Sequence, residues 1–76
     1  MLEQKKFFSV LQDILQTDTP ITLETRLTNM EEWDSLSIMS CIALFDKELG
    51  VRTRFTQYKE VHTVADLIGL GEGKIA

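Results

Sequence analysis

Apolar positions fall into three runs with helical spacing, separated by one long polar stretch and one short connector. From Glu3 to Gln16, Phe7, Phe8, Leu11, Ile14 and Leu15 repeat at the i, i+4, i+7 interval of one buried helix face. Thr17, Asp18, Thr19 and Pro20 break that pattern, because proline disfavours a helical residue before it. Ile21 to Trp33 shows no steady period. Ile21, Leu23, Leu27 and Met30 are its candidate anchors onto a core, so the segment reads as a long structured loop with at most one helical turn.

The second helix is the clearest element. Its pattern starts at Asp34 or Ser35 and runs to Leu49, with Asp34 as a good N-cap and Gly50 as a good stop. Val51 to Phe55 reads as a connector and Thr56 to Val61 as a short helix. Thr63, three residues before Asp66, forms a capping pair for a last helix carrying Val64, Ala65, Leu67 and Ile68. Gly69, Gly71 and Gly73 end it, and the tail is expected to fray. Little reads as strand. The expected fold is all-α: a small bundle of three main helices and one short one, with a long loop between the first and second.

Composition narrows the function classes. A 76-residue chain, 43% apolar or aromatic, is one small domain that must hold itself together by packing. One cysteine, Cys41, and one histidine, His62, leave no disulfide framework and no Cys/His zinc cluster. Twelve acids against eight bases give a net charge of −4, the wrong sign for a nucleic-acid binder. No apolar run approaches the ~20 residues that span a bilayer. MLEQKKFF lacks the apolar stretch of a secretory signal, so a cytoplasmic location is the default expectation. All the charge imbalance lies between Thr17 and Leu36, where Asp18, Glu24, Glu31, Glu32 and Asp34 face Arg26 alone. Such a segment either attracts a basic partner or is a solvated loop.

Two features of the second helix carry candidate chemistry. At about 100° per residue, Ile38, Ile42, Phe45 and Leu49 make a narrow core stripe, while Leu36, Met39, Ser40, Ala43 and Lys47 lie on roughly the opposite side. An apolar outer face with a flexible methionine fits either protein docking or burial under the long loop. Ser35, at the helix start, either helps to cap the helix or places a hydroxyl where the helix N-terminus favours a phosphate ester. An enzyme reading would need Cys41 and His62 as nucleophile and base. Cys41 sits beside the core stripe, His62 reads as a surface residue, and no third group orients them, so catalysis is not expected.

The chain resembles the acyl carrier protein family over its whole length. Asp34-Ser35-Leu36 matches the family's Asp-Ser-Leu signature at the head of its second helix. Met1 to Gln16 looks like the first helix, Leu27 like the loop anchor, and Thr63-Val64, 28 residues after Ser35, like the start of the fourth helix. Asp-Ser-Leu alone is a weak motif; here core pattern and spacing flank it on both sides.

The resemblance implies a monomeric carrier rather than a catalyst. Ser35, flanked by Asp34 and Leu36, would be esterified by 4'-phosphopantetheine transferred from coenzyme A by a phosphopantetheinyl transferase (holo-carrier synthase). The arm's thiol would carry an acyl thioester between acyl-loading and acyl-transfer enzymes of lipid or specialised biosynthesis. The implied docking face comprises Leu36, Ser37, Met39, Ser40, Ala43, Asp46 and Lys47. Leu27, Ile42, Phe45, Tyr58, Val61 and Ile68 would line an acyl pocket, and ordinary core packing explains each of them as well.

Departures from the family point to a specialised pathway. Ser37 and Ser40 stand where primary fatty-acid carriers often show acids, Lys47 replaces another, and Arg52 and Arg54 occupy the connector. Trp33 before the signature resembles carriers of polyketide, aminoacyl or sugar-acyl modification. The Gly-Gly of peptidyl carriers is absent. The alternatives are an aminoacyl carrier of a peptide or cell-wall modification pathway, or a carrier-like interaction module that is never modified.

Overall fold

The computed structural model describes residues 2–76, so Met1, at the head of the expected first helix, lies outside the described residues. Helix α1 spans Gln4–Leu15 and buries Phe7, Leu11 and Leu15, with Phe8 and Ile14 half-buried at the edges of the same face. It ends at Gln16, whose left-handed φ of 53° turns the chain away. Helix α2 spans Ser35–Leu44 and continues without a break into a π-helical stretch, Phe45–Leu49. Gly50 closes it at φ 67°, a conformation open to glycine without a Cβ clash. Helix α3, Phe55–Tyr58, starts one residue earlier and stops three residues earlier than the pattern predicts. Helix α4 spans Val64–Gly69. No strand occurs among the described residues, only two isolated bridges.

Thr63 and Asp66 cap α4 reciprocally, as their spacing predicts. The Asp66 amide donates to Thr63 Oγ1 at 3.2 Å, and Asp66 Oδ2 accepts from the amides of His62 (3.1 Å) and Thr63 (3.2 Å). Those donors, His62 first, hold the Asp66 carboxyl below its ordinary range.

The long loop is tied down by backbone bonds to the head of α4. Leu27 N–H donates to His62 C=O (2.8 Å), Val64 N–H to Thr25 C=O (3.0 Å) and Ala65 N–H to Leu23 C=O (3.0 Å). A single 3₁₀ turn, Leu27–Asn29, follows. Ile21 and Leu27 are buried and Met30 packs partly against the core. Leu23 does not anchor the core through its side chain, which is 40% exposed; its carbonyl makes the tie instead.

The expectation of a frayed tail is corrected. Leu2 N–H donates to Lys74 C=O (2.8 Å), Gln4 N–H to Ala76 C=O (2.7 Å) and Ala76 N–H to Leu2 C=O (2.9 Å). Ile75 is buried against the core, and its side chain lies so close to Gly71 that a Cβ there would meet it at 3.3 Å.

A chain of aromatic rings runs through the centre. Phe7 of α1 meets Phe45 (centroids 6.0 Å apart), Phe45 meets Tyr58 of α3 (6.3 Å), and Tyr58 meets Trp33 (6.4 Å). These are favourable tilted geometries, and they fix the loop end at Trp33 relative to three elements. The Tyr58 hydroxyl shares a 2.7 Å hydrogen bond with Thr53, which satisfies two polar groups inside the core.

Candidate functional site at the head of α2

Trp33 is half-buried against Tyr58 and sets where α2 begins. Asp34, in extended conformation, is the N-cap. Its Oδ1 accepts from the Ser37 amide at 3.1 Å. Ser37 Oγ accepts in return from the Asp34 amide and donates to the Asp34 carbonyl, both at 2.9 Å. This reciprocal box satisfies the Asp34 and Ser37 amides without Ser35. Ser35 is exposed at the first helical position and takes no part in the cap. The capping role open to Ser35 in the sequence is therefore filled by its neighbours.

The outer face of α2 is open. Leu36 is 76% and Met39 62% exposed, and Ser40, Ala43, Asp46 and Lys47 are exposed with them. Of the two readings of that face, burial under the long loop is excluded. One member expected on it is misplaced: Ser37 is 4% exposed and turned into the cap, so it does not belong to the open outer face. Its position was readable. Ser37, Cys41 and Phe45 recur at four-residue intervals and form the inner stripe. Accordingly Cys41 is fully buried while Ile42 is only half-buried.

The six candidate acyl-pocket residues do not form one class. Leu27, Phe45, Tyr58 and Val61 are buried in the common core, whereas Ile42 and Ile68 lie half-exposed at its margin. A groove of about 290 Å³ opens elsewhere, beside Ser35, and none of the six lines it. One wall is the end of α1, with Ile14, Leu15 and Gln16. The other is the first turns of α2, with Leu36 and Ser40, and Glu32 and Asp34 edge the loop side. No period in the sequence marks this groove, because it exists only where the end of α1 meets the loop preceding α2.

Of the pair considered for catalysis, Cys41 is fully buried and His62 is exposed. Burial pushes the Cys41 thiol from its ordinary 9.0 up to about 12, which removes thiolate at neutral pH. His62 is exposed on the loop before α4. Among the described residues no group of His, Cys, Asp and Glu could hold a metal ion, and no helix is long and apolar enough to cross a membrane. Comparison with protein-family models, with curated proteins and with solved structures found no match to this chain.

Proposed function

We propose that the chain is an acyl carrier in which Ser35 holds 4'-phosphopantetheine. The observation that carries this reading is the division of labour at the head of α2. Asp34 and Ser37 make the cap, and the Ser35 hydroxyl between them stands exposed at a helix N-terminus. The site fits the group on that ground: the oxygen is free to be esterified, and the helix end favours the resulting phosphodiester.

In the transfer, the Ser35 Oγ–P bond forms as coenzyme A loses adenosine 3',5'-bisphosphate, and the hydroxyl proton passes to a base of the transferase. The attached arm supplies a thiol that carries an acyl group as a thioester. The chain itself contributes anchorage, presentation and partner contact, not a catalytic group. Tethering raises the local concentration of cargo at each docked enzyme. Leu36, Met39 and Ala43 form the apolar centre of the docking face, with Ser40, Asp46 and Lys47 at its edge.

A specialised pathway suits this surface better than primary fatty-acid synthesis, since Ser40 and Lys47 offer no acidic row to a basic synthase patch. Incubation with coenzyme A and a phosphopantetheinyl transferase, followed by mass spectrometry, tests the carrier reading. One arm is expected on the wild type and none on Ser35→Ala. Equal modification of both would sink the assignment. A wild type that accepts no arm would leave an unmodified docking module.

A further inference from the structure

We infer that the groove between the end of α1 and the head of α2 is the resting place of the arm carried by Ser35, an inference that rests on the carrier reading. Ser35 is flanked in the chain by two residues that line the groove, Asp34 and Leu36. Any group esterified to Ser35 is thus tethered one residue from the groove lining on either side, where the effective concentration of a long flexible arm is high even for weak contacts.

The lining matches the chemistry of the arm. Beyond its phosphate, pantetheine is uncharged, with a dimethyl-bearing carbon, a hydroxyl and two amides. Ile14, Leu15 and Leu36 offer an apolar wall for the methyls. Ser40 and Gln16 offer hydroxyl and amide partners, and the Glu32 carboxylate accepts from N–H or O–H donors. With Glu32 and Asp34 at its edge, the groove rejects a second anion, so the phosphodiester stays outside at the helix end while the neutral chain lies in. The volume of about 290 Å³ suits a slender chain. The common core around Phe45 and Tyr58 is filled by its own side chains, so the groove is the better place for the arm.

Methyl-resolved NMR of the full chain before and after loading with the arm alone tests this. The methyl signals of Ile14, Leu15 and Leu36 should shift on loading, with nuclear Overhauser contacts from Ile14 and Leu15 to the arm's own methyls. Glu32→Trp, at an exposed position on the loop side of the groove, should abolish those contacts while mass spectrometry still shows one arm. A loaded wild type whose Ile14 and Leu15 methyls neither shift nor touch the arm overturns the groove inference and leaves the carrier reading standing. Failure of any arm to attach at Ser35 overturns both.

Discussion

Asp34 and Ser37 hold each other's backbone amides, carboxylate to amide at 3.1 Å and hydroxyl to amide at 2.9 Å. Stability of the first turn of α2 therefore resides in this pair and not in Ser35. Asp34→Ala should cost about 1 kcal/mol, lowering the melting temperature by roughly 4–8 °C in a domain of this size. Ser35→Ala should change it by less than about 0.5 kcal/mol. Circular dichroism melts of the two variants separate the capping residue from the proposed attachment residue. A Ser35→Ala loss as large as that of Asp34→Ala would return Ser35 to a structural role.

Phe45 is fully buried and its ring meets both Phe7 and Tyr58. Phe45→Ala should cost about 3–5 kcal/mol, a large share of the whole stability of a small domain. Urea unfolding followed by Trp33 fluorescence gives the number. An unchanged midpoint would place Phe45 outside the core.

The cap of α4 and the inner face of α1 were legible in the sequence because they are local. Thr63 finds Asp66 three residues on, and Phe7, Leu11 and Leu15 lie one turn apart. What stayed hidden is long-range. Leu23 is held through its carbonyl to Ala65, which side-chain hydropathy does not report. The pairing of Leu2 with Ile75 joins opposite ends of the chain, and the groove beside Ser35 needs the end of α1 to meet the Glu32 loop. The resemblance placed Ser37 outside, although its own spacing to Cys41 turns it inward.

Cys41 makes stability sensitive to alkali. Its folded pKa is raised by burial, so the folded state keeps a proton that the unfolded chain releases. The contribution is full below 9.0 and is lost as pH rises towards about 12. Between those limits stability should fall by up to about 1.4 kcal/mol per pH unit from this thiol. Tyr58, raised chiefly by burial, acts in the same direction at the upper end. Chemical denaturation at pH 7 and pH 10 should show a smaller pH loss in Cys41→Ala than in the wild type, although the variant is less stable at pH 7. Equal losses would mean the thiol is already ionised or exposed.

Ile75 is a core residue supplied by the tail. Ile75→Ala should cost about 2 kcal/mol, the low end for such truncations because the site lies near the surface. Hydrogen exchange at the amides of Gln4 and Ala76 should quicken with it, since both donate across the terminal pairing. Exchange as fast in the wild type as in an unfolded peptide would show that the pairing does not form.

Met39 is exposed in mid-face and touches no cap, so Met39→Asp should leave the stability within about 0.5 kcal/mol of the wild type. It should slow transfer to the cognate partner, because a charge is left desolvated at an apolar interface. Ser40→Glu combined with Lys47→Glu should speed loading by a primary-pathway transacylase, an effect that weakens as salt is raised. If the wild type already loads as fast as a primary carrier and the double variant no faster, the specialised reading fails.

The terminal pairing has a topological consequence. Because Leu2 and Ala76 are hydrogen-bonded neighbours, a short linker could join the two ends without disturbing a helix. The chain could then be reopened at the exposed Asp18–Pro20 turn, where no core residue sits. Such a circular permutant would carry α1 at its C-terminal end and still place Ser35 at the head of the same helix. The same proximity would let the whole domain be spliced into a surface loop of a host protein, entering and leaving through a single point.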